Sequence, residues 1–372
     1  MAGFASALYL GLTHGTAELR PWRRLTAGAP AALAPPAGSR PVARELAALL
    51  GTEAATLGAS TLHLFWDLGG QLRRRPVRIL ADERLYPVGR WGIERAVAAG
   101  VPAATFRHHD AESLRRRLEA WCAGRLPPLT PVVITDGLCP DCGRVPPLDR
   151  YLELVEEHGG RLLVDDSQAL GLLGRNPEPG RPYGTGGGGS PAFRGISSPR
   201  LLLLSSLAKS FGAPLAVLAG SAAAVRSFDQ KSETLIYSSP PSVAAIRAAE
   251  AALSINRERG ERLRTRLAGL VQRFRNGLQE IGWIASGGLS PVQNLEIPTG
   301  ADPLDLDRRL RTLGIQAVPR QGRCRPGPLL TFLLRADHTA EEIDQAVTGI
   351  ARLVRRSRRN SHERTEIRSH SL

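Results

Sequence analysis

The chain has 372 residues, 42% of them hydrophobic and 23% charged, and carries a formal net charge of +14 from 49 basic against 35 acidic residues. That length exceeds one small module, and that composition excludes wholesale disorder; four Cys in so long a chain exclude a disulfide-stapled mini-protein. No apolar run approaches the ~18–20 residues of a membrane helix, and MAGFASALYLGL lacks a basic leader, so a soluble cytoplasmic protein is expected.

Residues 1–40 read as an extended arm rich in Ala and Pro. PVARELAALLG then predicts a helix closed by Gly51, EAATLGAS a short strand and turn, and TLHLFWDLGGQL a second helix. VRILAD (77–82) predicts a buried strand, WGIERAVAAG a helix closed by Gly100, and AATFRH a strand. An amphipathic helix at ESLRRRLEAWCAG precedes the strand PVVITDGL (131–138) and the helix LDRYLELVEEHGG (148–160). Two more strands are predicted at RLLVDDSQALG (161–171) and RLLLLSSLAKSFG (200–212). Strands alternating with helices of 10–15 residues predict an α/β domain over 41–240, with a mainly parallel sheet covered on both faces. The run GTGGGGS (184–190) lacks a following Gly-Lys-Ser/Thr, so it reads as a flexible surface loop and not a phosphate loop.

After Pro240-Pro241 some forty residues carry helical periodicity, enough for two or more helices. NLEIP, a helix at DPLDLDRRLRTLG, strands at IQAVP and LLTFLL, and the helix TAEEIDQAVTGIARLV then predict a smaller α+β domain over 241–355. Residues 356–372 form an Arg-rich tail expected to be disordered. The basic residues are spread along every segment, and few aromatics accompany the tail, so nucleic-acid binding is not expected.

Only Lys209 and Lys231 are lysine; the other 47 of 49 basic residues are arginine. In such a chain a lysine survives where arginine cannot serve, and an amine that sheds its proton and forms an imine is such a task. Lys231 lies in the polar run FDQKSE, whereas Lys209 follows the apolar strand LLLLSS. Ligands of an open parallel sheet bind beyond the carboxyl ends of its strands. Asp165 and Asp166 follow RLLV there, and Ser60-Thr61-Leu62 opens a helix whose unpaired amides and dipole favour an anion. An imine-forming lysine, a strand-end carboxylate and an anion pocket together suggest pyridoxal 5'-phosphate (PLP). Lys209 would hold its aldehyde as a Schiff base, Asp165 would keep its ring nitrogen protonated, and residues 60–62 would take its phosphate.

The ordered set YLGL (9–12), VDDSQALGLLG (164–174), SSLAKSFG (205–212), AGS (219–221) and ADHTAEEID (336–344) resembles the α-oxoamine synthase branch of the fold type I, aminotransferase class I/II PLP enzymes. The resemblance runs over residues 7–355. It implies a seven-stranded-type, mainly parallel sheet with a smaller C-terminal α+β domain. It implies Lys209 as the Schiff-base lysine, Asp165 as the partner of the ring nitrogen and Ser206 as a hydroxyl on the phosphate. Ser238 or Ser239 would reach the same phosphate across the interface of a homodimer with two shared sites.

Departures from the family pattern are informative. The ring-stacking His of the family is Tyr86 here, which can stack but titrates near 10 and is a poor acid–base group at neutral pH. The His of its Asp-x-x-His pattern is Gln168, which can donate a hydrogen bond to the ring hydroxyl oxygen but carries no charge. Three family contacts to a substrate carboxylate correspond to Leu8, Pro140 and Thr331, none able to grip an anion with a charge. Arg320, Arg323, Arg325 and Arg335 are candidates for a relocated clamp.

Cys139-Pro-Asp-Cys142 has the spacing of a zinc knuckle but would need two further ligands, and Cys122 and Cys324 are distant and unpatterned, so no metal is expected. A redox pair is an alternative; a loop beside the cofactor is the plainer reading. His63 follows the phosphate turn and reads first as a helix-surface or packing residue, His108-His109 as a polar strand end, and Phe65 with Trp66 as core.

The resemblance implies a PLP-dependent transferase that forms an external aldimine with a small-molecule amine or amino acid and condenses it with an acyl thioester. With the His and the carboxylate grip gone, an aminotransferase acting on an amine or amino sugar is the alternative. A non-catalytic PLP-binding partner subunit is another, weakened by the retained Lys209.

Overall fold

The computed structural model describes residues 2–26, 28–122, 129–297 and 302–353; for Cys122 it describes the backbone alone, and the Arg-rich tail lies outside the described residues. The chain divides into two compact units, a large one of Leu10–Cys139 with Arg144–Thr265 and a smaller one of Met1–Tyr9, Pro140–Gly143 and Arg266–Leu372.

The large unit is built on a seven-stranded sheet. In spatial order its strands are Ala54–Gly58, Ala216–Gly220, Leu201–Ser206, Arg161–Asp165, Thr130–Asp136, Val77–Asp82 and Ala103–Phe106. Only Ala216–Gly220 runs antiparallel to its neighbours; the other six strands share one direction. This strand escapes sequence reading because AVLAG follows Pro214 and is short and small-chained, closer to a loop than to the Leu-rich strands beside it.

Successive side chains of a strand point to opposite faces, and both faces are apolar here. Leu80, Val133, Leu162, Val164, Leu203 and Val217 pack on one side, against Leu46, Leu114, Leu154 and Ile246 of the covering helices. Ile79, Ile134, Leu163, Leu204 and Leu218 pack on the other, against Phe65, Ala96 and Phe228. Phe65 is core as the sequence suggests, but Trp66 is not: 47% exposed, it lies under the Arg95 guanidinium at 4.1 Å.

The glycine run is no flexible loop. Gly184 and Gly187–Gly189 are buried, and Gly189, at φ +88°, would place a Cβ 1.7 Å from a carboxylate oxygen of Asp166, so only glycine fits. Low complexity here marks close backbone packing, and the run ends in the short helix Gly189–Arg194.

In the smaller unit the antiparallel strands Val318–Gln321, Pro328–Leu333, Val292–Glu296 and Ala285–Ser286 lie side by side in that order. Phe332 packs between Phe4 (5.6 Å) and Phe274 (5.3 Å). The first residues are no free arm: Ala2–Gly3 pairs in parallel with Ile315–Gln316. One helix of 38 residues, Val243–Glu280, replaces the two or more expected. It holds no Pro, and its interior glycines cost only about 1 kcal/mol each against Ala. The division of the units falls after Thr265, inside this helix and not near residue 240, since Ile246 and Leu253 belong to the core of the large unit and Phe274 to that of the smaller. Among the described residues no helix is long and apolar enough to cross a membrane.

Candidate active site

Three neighbouring strands of the large unit deliver polar side chains at their carboxyl ends. Asp165 ends Arg161–Asp165, Asp136 ends Thr130–Asp136, and Lys209 sits in the turn after Leu201–Ser206. Asp165 is 6% exposed and accepts the Ser167 backbone N–H at 3.0 Å. The Ser167 hydroxyl in turn accepts the N–H of Ser206 at 2.9 Å, tying the two strand ends together. Burial pushes the Lys209 ammonium below its ordinary value, opposed by the charges of Asp165 and Asp136. Burial likewise pushes the Asp165 carboxyl up, opposed by its bond to Ser167 and by Lys209. An amine whose charge is disfavoured is a nucleophile in waiting.

Behind Asp165 stands Asp166, fully buried, which accepts both the N–H and the hydroxyl of Ser190. Burial outweighs these bonds and raises its carboxyl to about 7. The folded state then keeps a proton that the unfolded chain, titrating near 3.8, gives up. Its contribution to stability is therefore complete below about pH 4 and is lost as pH rises through about 7. Asp166→Asn is expected to flatten the fall in Tm between about pH 4 and 7 relative to the parent. An unchanged slope in thermal melts would refute this.

At the carboxyl end of Ala54–Gly58, Ser60 caps the helix Thr61–Leu72 and accepts the His63 N–H. The first intrahelical bond runs from Leu64 N–H to Ser60 C=O, so the amides of Thr61 and Leu62 open the helix. His63 is held in this turn, its Nδ1 2.8 Å from the Ser60 hydroxyl. Tyr86 is the N-cap of the helix Pro87–Ala98, and its N–H donates to both carboxylate oxygens of Asp136, at 3.1 and 3.3 Å. Tyr86 as a whole is 40% exposed. Gln168 is half-buried three residues beyond Asp165, and the Ser206 hydroxyl accepts the Ala208 N–H at 3.3 Å. Ser238 caps the end of the helix Glu233–Tyr237 and donates its hydroxyl to Thr234 C=O at 2.7 Å, whereas Ser239 is exposed.

The suggested substrate contacts Leu8, Pro140, Arg323 and Thr331 belong to the smaller unit. Leu8 N–H donates to the Ser6 hydroxyl at 3.4 Å. Thr331 is 2% exposed, and its hydroxyl accepts from Arg320 Nε at 2.8 Å. The Arg320 guanidinium also pairs with Asp141 and donates to Asn294 at 2.7 Å. Pro140 C=O accepts from Asn294 at 3.1 Å. Arg320 is thus committed inside its unit, as are Arg325 on Glu296 (2.8 Å) and Arg335 on Asp337 (2.9 Å). Arg323 gives its backbone N–H to Asp141.

Sequence reasoning missed Asp136 and Asp82. Each ends an apolar strand, in ITDG and ILAD, as Asp165 does in LVDD, and that shared pattern was the available signal. Burial opposes the charge of Asp82, but its bonds to His108 and to the N–H groups of Arg84 and His109 outweigh it and hold its carboxyl below the usual range.

The sequence model of the aminotransferase class I and II family matches residues 92–350. The chain belongs to the aminotransferase class I and II family. Among this family's members, an 8-amino-7-oxononanoate synthase of Sodalis glossinidius is 30% identical over 360 residues, 94% of this chain and 87% of that protein. One from Thioalkalivibrio sulfidiphilus is 30% identical over 268 residues, 71% of this chain and 64% of that protein; this chain thus spans just under two thirds of its length. A serine palmitoyltransferase of S. paucimobilis, solved with a PLP–myriocin aldimine, shares the fold at a TM-score of 0.81 and 17% identity, over 95% of this chain and 87% of that one.

Proposed function

We propose that the protein is a PLP-dependent acyltransferase of the α-oxoamine synthase kind, joining the α-carbon of an amino substrate to the acyl group of a thioester. One observation carries the reading: the only lysine at a strand end, with its charge disfavoured, neighbours a buried carboxylate on the adjoining strand. When bound, PLP supplies an aldehyde that takes up amines and a ring that accepts the electron pair released at the α-carbon.

The donor set fits that group. The Lys209 amine would hold the aldehyde carbon, and the same amine would be the base placed to take a proton from the substrate α-carbon and return it. Asp165, 6% exposed, would accept the N–H of the protonated ring nitrogen and keep it charged. The amides of Thr61 and Leu62 and the hydroxyls of Ser60 and Ser206 take the phosphate. Tyr86 lends a ring face, fixed at its backbone by Asp136, and Gln168 donates to the ring hydroxyl oxygen. Arg320 is neutralised by Asp141, and Arg323 is proposed as a contact for a substrate anion.

Incubating the PLP-loaded protein with amino donors and an acyl-CoA tests this. Thiol release supports condensation, whereas accumulation of pyridoxamine phosphate without thiol would establish transamination instead.

The working unit in this reading is a cytoplasmic homodimer in which Ser238 or Ser239 serves the phosphate of the partner's site. Leu62, Trp66, Trp91 and Tyr237 of the large unit are exposed by 42%, 47%, 50% and 84%. In the dimer a second chain would cover apolar side chains of this kind. Sedimentation is expected to give a dimer, and the double variant Trp91→Glu/Tyr237→Glu a monomer with weakened PLP binding. A wild-type monomer with full activity would refute the arrangement.

A further inference from the structure

The helix Thr61–Leu72, whose first turn is the proposed phosphate cradle, carries one buried carboxylate further along. Asp67 is 1% exposed. Burying a carboxylate is costly unless its oxygens are satisfied, and here four donors satisfy them. All four come from residues 232–234 of the same large unit: the Ser232 hydroxyl, the N–H of Glu233 (3.1 Å), and the N–H (3.2 Å) and hydroxyl (2.6 Å) of Thr234.

These residues open the helix Glu233–Tyr237, which is five residues long and buries none of them. So short a helix is not stable by itself, and without a buried side chain it gains little from apolar packing. Polar bonds therefore fix its place. Ser232 caps it, accepting the Leu235 N–H at 3.1 Å while its own hydroxyl donates to Asp67. Arg95 adds a second clamp, donating to Glu233 at 2.6 Å and to the C=O of Trp66, the neighbour of Asp67, at 2.6 Å. The chain of bonds continues to the far end of the helix. Thr234, held by Asp67 through its N–H and hydroxyl, gives its C=O to the Ser238 N–H at 3.0 Å and hydroxyl at 2.7 Å.

We propose that Asp67 is a positioning residue for the cofactor of the partner's site, acting through Thr234 on Ser238 and Ser239 and not through the turn that opens its own helix. The inference rests on the proposed function, in which one of those serines serves the partner's phosphate. One helix then attends to two phosphates: its first amides to that of its own chain, and Asp67 to that of the partner. A contact supplied by an exposed segment is only as well placed as the buried group that holds the segment.

Mixed dimers of full-length chains carrying different affinity tags separate the two routes. A Lys209→Ala chain forms no Schiff base, so borohydride trapping at residue 209 during a PLP titration reads the one remaining site. With Asp67→Asn on the same chain as Lys209→Ala, the intact Lys209 site receives its serine from the altered segment. Its PLP affinity is expected to fall by about tenfold or more, the scale of one hydrogen bond to a charged group. With Asp67→Asn on the chain that keeps Lys209, affinity should stay within about twofold of a mixed dimer carrying Lys209→Ala alone. In the first arrangement, adding Asp67→Asn to the joint Ser238→Ala/Ser239→Ala change should cost little more, since both act on one contact. Should Asp67→Asn chains not fold, Thr234→Val, which removes one hydroxyl, takes their place and should give the same pattern. A loss confined to the second arrangement, a loss equal in both, or no loss in either would overturn the inference. Wild-type protein that forms no Schiff base at Lys209, or that sediments as a monomer, would overturn the proposed function and this inference with it.

Discussion

Lys209→Ala is expected to leave no covalently attached cofactor after borohydride reduction and to lower turnover by 10²–10⁴-fold or more. Removing a positioned acid–base group alone costs about that range, and this lysine in addition holds the aldehyde. Half-buried at a strand end, it is small enough when cut back to Ala that the fold should persist. Arg at this position is the sharper variant: it keeps the cation and most of the volume but cannot lose its proton. Peptide mapping of the reduced protein reads the bond, and single-turnover kinetics read the proton transfer. Label at another residue, or turnover within a few fold of the parent, would remove the basis of the proposed function.

Asp165→Asn is expected to bind PLP but to slow proton removal at the α-carbon by about 10²–10³-fold, the scale lost when one preorganised electrostatic partner is taken from a buried reaction site. The amide can still accept the Ser167 N–H that the carboxylate takes at 3.0 Å, so stability should change little. What it lacks is the charge that keeps the ring nitrogen protonated. Exchange of the substrate α-proton with solvent measures that step directly. Equal exchange rates in variant and parent would show that Asp165 caps a turn and nothing more.

The proposed catalytic pair was legible because each member breaks its surroundings: a lysine in an arginine-dominated chain, and a double aspartate at the end of an apolar strand. The same logic applied to ITDG would have found Asp136, whose partner, the Tyr86 backbone, is fifty residues away and leaves no spacing signal. Cys324 stands 182 residues beyond Cys142, and folding alone brings their sulfurs within 4.8 Å in the smaller unit. Composition misled at GTGGGGS, where glycine serves the positive φ of a tightly packed chain and not mobility. Periodicity, in turn, cannot tell one helix of 38 residues from two, since nothing in it signals the missing break.

The lone reversed strand has a consequence for birth on the ribosome. Ala54–Gly58 hydrogen-bonds within the sheet only to Ala216–Gly220, with register Ala54 to Gly220 and Gly58 to Ala216. At about 5–20 residues per second the nascent chain waits roughly 8–30 s between emitting the first and the second. Throughout that interval the segment that leads into the proposed phosphate turn has no pairing edge. Arrested chains ending shortly before residue 216 should therefore be cut by protease near residue 58, and those extended past residue 220 and clear of the exit tunnel should resist.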